Sequence, residues 1–157
     1  MFVALANSPF AHAMHRLNWL PQVLETVHMV FHALLAGAAT LLALRLLGFG
    51  RAIPTARLAR YLLGAIWLSL AALAVSGGLM FVMSADRYAG TGFFLWKMAT
   101  GAELGVLLIV AQLALPRLAG RWDEAGAAPV VAQLLAGAAI PMTLAVIVFG
   151  RFVYTAL

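Results

Sequence analysis

Residues 23–47, VLETVHMVFHALLAGAATLLALRLL, decide the fold. A single helix needs ~20 mostly apolar residues to cross a bilayer, and this stretch is longer than that. Between Glu25 and Arg45 its only ionisable residues are His28 and His32. Glu25, His28 and His32 stand at i, i+3 and i+7, so a helix puts all three on one face. Ionisable side chains at membrane depth are costly, and they are normally turned inward toward a partner, a water-filled cavity or a bound ion.

The rest of the chain agrees with a lipid solvent. Of its 157 residues 65% are hydrophobic and 10% charged, with a mean hydropathy of +1.02. A small soluble globule has too little interior to hide that much apolar surface. Further spans are expected at about 61–83, 93–115 and 130–150. Pro116 should end the third, and Pro141 should kink the fourth. Ahead of the first span, Ser8-Pro9 is a good helix start. It opens an interfacial segment, residues 8–20, that Pro21 should break. The expected architecture is an all-α integral membrane protein: one membrane domain over residues 1–157, a four-transmembrane-helix bundle with a short N-terminal interfacial helix.

Several function classes are excluded or disfavoured. With no cysteine, this chain alone holds no disulfide, thiolate metal site or iron–sulfur cluster. The net charge of +5 is scattered over helix ends and loops. It reads as topology signal and lipid head-group contact rather than nucleic-acid binding. The N-terminus lacks the pattern of a secretory signal peptide. Arg45, Arg51, Arg57 and Arg60 around the first connection, with Arg117 and Arg121 around the third, assign those connections to the cytoplasm. Both termini then face outward, across what is expected to be a bacterial inner membrane.

The first and third spans run in the same direction. His32 and Glu103 lie nine or ten residues into them, at roughly 14 Å depth. Lys97 is nearer the outer surface, and Arg151 comes from the outward end of the fourth span. The expected arrangement is a polar shaft entered from outside. Three readings fit it. His28 or His32 is an axial ligand of a b-type haem, with Lys97 and Arg151 facing the propionates or an exchanging quinone. No histidine lies on the other spans, so a second ligand is Met98, Met83, a lysine, water or a residue of another subunit. Alternatively, Glu25, His28, His32 and Glu103 bind copper or another transition metal directly. In the third reading the histidines are interhelical glue, and the protein is a non-catalytic accessory subunit of a larger membrane complex or packs against a second copy. Gly101 and Gly105 form a small-residue face on the third span, for a contact within the chain or between chains.

The chain also resembles a group of uncharacterised bacterial four-span inner-membrane proteins known as a domain of unknown function. The matching stretches are Asn18-Trp19-Leu20-Pro21 leading to Glu25 and His28, Leu44-Arg45-Leu46-Leu47-Gly48, Ser76-Gly77-Gly78-Leu79-Met80-Phe81, Phe93 to Lys97, and Gly150-Arg151-Phe152-Val153-Tyr154. More distantly it is similar to the membrane domain of copper-resistance D proteins and to J-type protoporphyrinogen oxidases. Those have an early-span histidine and a lysine at the start of a later span, matched here by His28 and Lys97. The resemblance implies a four-helix bundle with a functional site in its outer half, and leaves copper and haem both open. One departure is Ala43, where the group often carries an aspartate, so any ion pair made by that aspartate is absent here. His32 is not part of the resemblance.

Overall fold

The computed structural model describes residues 2–155, with side chains for residues 2–153; Met1, Ala156 and Leu157 lie outside the described residues. Four of its helices are long and apolar enough to cross a membrane. They are α3 (Leu20–Leu46), α4 (Thr55–Met83), α6 (Gly92–Glu124) and α7 (Val130–Thr155); α1 (Phe2–Ala6), α2 (Pro9–His15) and α5 (Ala85–Tyr88) are short. In bilayer hydrocarbon every backbone polar group must be satisfied within the segment, which is why continuous helices are the available solution. The buried hydroxyls follow the same rule. Ser69, Ser76 and Thr143 each donate to the carbonyl four residues back, at 2.7 Å.

The long helices form a ring in chain order: α3 packs on α4, α4 on α6, α6 on α7, and α7 closes back on α3. Helices α3 and α6 therefore face each other across the bundle. An apolar core fills one half, built from Leu35, Ala38, Ala39 and Leu42 of α3, Ala59, Leu63 and Ile66 of α4, and Leu104, Leu108, Leu115 and Ala119 of α6. A smaller cluster of Met14, Leu24 and Met83 closes the opposite end, beside α2. The histidines of α3 sit between these two apolar plugs.

Helix boundaries differ from the sequence expectation at two prolines. Pro21 does not separate the interfacial helix from the first span; it occupies the first turn of α3, where its missing N–H is no loss. The interfacial helix α2 has already ended at His15. Pro116 does not end the third span either, because α6 continues through it to Glu124. Leu115 and Ala119, 2% and 0% exposed, bury the flanking turns in the core, and Asp123 is tied to α3 and α4 beyond them. Tertiary contacts thus hold the helix across one lost hydrogen bond. Helix α3 ends in a Schellman motif: Gly48, at φ 100°, donates to Arg45, and Phe49 donates to Leu44.

At the loop end, Asp123 of α6 replaces a local N-cap for α4. Its carboxylate accepts from the Thr55 hydroxyl and the backbone amides of Thr55 and Ala56, and from Arg45 of α3 at 2.9 Å. These are the first amides of α4, otherwise unsatisfied. Helix α6 extends well past the length a ~30 Å hydrocarbon layer requires, so Asp123 lies beyond the membrane-spanning part. Burial alone would raise its pKa, but the Thr55 hydroxyl, the two amides and Arg45 outweigh it and hold the carboxyl below its ordinary value.

Candidate functional site

On α3 the inward stripe runs Leu24, His28, His32, Leu35, Ala39, Leu42, with helical spacing throughout. The histidines therefore share the face that carries the core, and both are half-buried. His28 is fixed by two residues of α4. Its Nδ1 lies 2.8 Å from Ser76 Oγ. Its Cε1 lies only 3.0 Å from where a side chain on Gly77 would begin. The Ser76-Gly77 pair thus supplies one polar contact and one vacancy, and the ring fills the vacancy.

The hydrogen-bond network sets the tautomer. Ser76 has one hydroxyl hydrogen, and it is donated to the Ala72 carbonyl at 2.7 Å. Ser76 Oγ must then accept from His28, so Nδ1 carries the proton and Nε2 presents a lone pair. That Nε2 is buried and has no hydrogen-bond partner among the described residues. Buried polar atoms are normally satisfied, and an exception asks for an explanation such as a bound group. An imidazole held through Nδ1–H by an outer partner, with Nε2 bare, is the arrangement that metal-ligating histidines adopt.

Two further groups face His28. The His32 ring meets it edge-on, with centroids 4.7 Å apart and planes at 69°. From across the bundle, the Lys97 ammonium of α6 comes close enough to act electrostatically on both imidazoles. Lys97 is itself cradled by a glycine: Nζ lies 3.3 Å from where a side chain on Gly150 of α7 would start. Among the described residues Lys97 has no carboxylate partner, since the one ion pair found there joins Arg45 to Asp123. Three helices thus contribute to the site and a fourth makes room for it.

The remaining expected site residues are not brought in. Glu25 is half-buried, but forms no ion pair among the described residues. Glu103 is exposed, and Met98 is 55% exposed. On α6 the inward stripe is Lys97, Leu104, Leu108, Leu115, Ala119. Met98 and Glu103 each stand one residue, or ~100°, off it. Arg151 is exposed beside Gly150. Glu103 therefore does not join His32 at a shared floor, while Arg151 adjoins Gly150, against which Lys97 packs. Among the described residues no three His, Asp or Glu side chains gather as a metal-binding group, so the four-residue metal set is not assembled within this chain.

From the sequence, Ser76, Gly77 and His15 do not stand out as site residues, and Arg45 counts only as a topology arginine. His15 instead places Nε2 2.9 Å from the Met83 carbonyl, at the C-terminus of α4, where carbonyls lack helical partners. The signal available for Ser76 was its position seven residues from the end of an apolar span, next to a glycine. Comparison of the chain with known protein families, characterised proteins and solved structures finds no match.

Proposed function

We propose that the protein is a small membrane redox protein in which His28 Nε2 would hold the iron of a b-type haem or a similar cofactor. The observation that carries the reading is the bare, buried Nε2 of an imidazole whose other nitrogen is committed to Ser76. The donor set fits a single-imidazole ligand and not a multidentate metal site, so the copper reading is not carried forward. When bound, such a group supplies one-electron transfer. The chain's own part is to orient and to exclude water. Ser76 fixes the ring plane and raises the basicity of Nε2 through the Nδ1–H bond. Lys97 offers an ammonium without a counter-charge to an acidic substituent. The apolar plugs at Leu35–Leu42 and at Met14, Leu24 and Met83 keep the site dry from both ends.

Because α4, α6 and α7 contain no histidine, a second protein ligand comes from a non-histidine group or another subunit. The proposal includes electron exchange with a quinone or another membrane redox partner. It places the protein in the bacterial inner membrane with both termini on the periplasmic side, on the strength of the arginines around the first and third connections. A second reading has its own observation. Side chains added at Gly101, Gly105 or Gly137 would meet open space, so these glycines do not serve contacts within the chain. A neighbouring helix can approach there, as in an accessory subunit or a homo-oligomer.

The test is the visible spectrum of the detergent-purified full chain after titration with haemin. A Soret band that saturates at one haem per chain or per pair of chains, and that His28→Ala abolishes, supports the redox reading. A spectrum indistinguishable between wild type and His28→Ala overturns it and leaves the accessory role.

A further inference from the structure

An open cavity lies near α2, away from His28. It has a volume of about 460 Å³, opens to the surroundings and is lined by the exposed residues Asn7, Pro9, His12, Ala13 and Arg16. That volume is in the range of ligand pockets, ~300–1,000 Å³. Its walls are held in place. Ala11 and Met14 of α2 are buried at 0% and 6% exposure, Met14 joins the cluster with Leu24 and Met83, and His15 is bound to the Met83 carbonyl. Fixing positions 11, 14 and 15 against the bundle turns positions 9, 12, 13 and 16 away from it, because each residue advances ~100° around the helix.

The polar lining is all donors or potential donors: the Asn7 amide, the His12 ring and the Arg16 guanidinium. No carboxylate lines the cavity, and Arg16 has no ion-pair partner among the described residues. Such a lining selects an anion with several oxygens, and a planar guanidinium suits a phosphate. The depth identifies the source. Phe10, Leu17 and Trp19, close in sequence to the lining residues, are exposed apolar side chains, and α3 begins directly after them. Exposed aromatics at the start of a span mark the head-group level of a bilayer. Pro9 and Ala13 give the cavity an apolar wall on which a glycerol or first acyl carbons can rest.

We infer that this cavity is a binding site for the phosphate head group of an anionic phospholipid, with Arg16 and His12 as its principal contacts. The site is independent of the His28 reading, and its failure would leave that reading untouched. It would seat α2 at a fixed depth, and with it the Met14 and Met83 plug above His28.

The experiment is native mass spectrometry of the detergent-purified full chain, titrated with dioleoyl phosphatidylglycerol, dioleoyl phosphatidylcholine or inorganic phosphate. Wild type is expected to retain one phosphatidylglycerol in preference to phosphatidylcholine. Arg16→Gln and His12→Gln should each weaken that retention, Arg16→Gln by about fivefold. Arg87→Gln, which removes another cation outside the cavity, should not change it. Thermal melting in detergent checks that the variants fold; if Arg16→Gln does not, His12→Gln and Asn7→Ala carry the comparison. Equal retention of the two lipids overturns the inference, as does retention unchanged in the folded cavity variants. Displacement of phosphatidylglycerol by an equal concentration of inorganic phosphate also overturns it, because the site would then be one for a free anion.

Discussion

His28 owes its position to a missing carbon. A methyl group at Gly77 would begin 3.0 Å from the ring Cε1, closer than packed carbons sit, and an imidazole pinned at Nδ1 cannot swing away without breaking its bond to Ser76. Gly77→Ala should therefore destabilise the protein by about 1–3 kcal/mol, as overpacking does. Thermal melting in detergent will measure this, with Gly78→Ala as control, since its added methyl meets open space. Gly150→Ala should cost less than Gly77→Ala, because what it meets at 3.3 Å is the far end of the flexible Lys97 side chain. The histidines and Lys97 were legible in the sequence because rare ionisable residues in an apolar stretch stand out and helical spacing gives their face. Ser76 and Gly77 were not, because their role depends on how far α4 is slid along α3, and no local pattern encodes that offset. Met98 and Glu103 lie off the inward stripe for a related reason: depth along a span does not fix the facing of α6, and one residue's rotation separates Lys97 from Met98.

At the scale of the helix, the Asp123 clamp explains why α6 outruns its proline. A carboxylate that caps α4 from another helix and pairs with Arg45 of a third ties the loop ends of α3, α4 and α6 together. Asp123→Ala should cost about 1–2 kcal/mol, the usual loss when a cap is removed. Its pH dependence has a defined sign. The folded carboxyl is held below its ordinary value of 3.8, so the stabilisation is complete above that value and fades as pH falls through the lower folded value. Melting temperatures should thus show an Asp123-dependent drop only below about pH 4, and Asp123→Asn should remove that part of the slope. A drop of equal size in the variant would assign the acid sensitivity to other groups. Pro116 was read from its own chemistry as a stop. That reading failed because the buried Leu115 and Ala119 and the anchored Asp123 on either side outweigh one lost backbone bond.

For the whole molecule, hydropathy alone made the four spans legible, since lipid leaves the backbone no alternative to helix. The ring order, with α3 opposite α6, was not legible. It is what lets Lys97 reach the α3 histidines while Glu103 faces outward. The proposed orientation has a clean test, because the chain contains no cysteine and a single introduced one reports without background. Ala4→Cys is expected to react with an impermeant thiol reagent added to intact cells, and Ala127→Cys only after the cells are opened. The opposite pattern would invert the assignment and put the His28 end in the cytoplasm.

Everything functional in this account depends on a bare nitrogen held inside the bundle. Nitrogen-15 spectra of the ligand-free protein, with the His28 signals assigned by their loss in His28→Ala, report which ring nitrogen carries the proton. The hydrogen bond from Nδ1 to Ser76 predicts a protonated Nδ1 and an unprotonated Nε2, lost as a free lone pair when haem is added. A His28 protonated at Nε2, with Nδ1 accepting from Ser76, would contradict the account and reduce the histidine to a contact between helices.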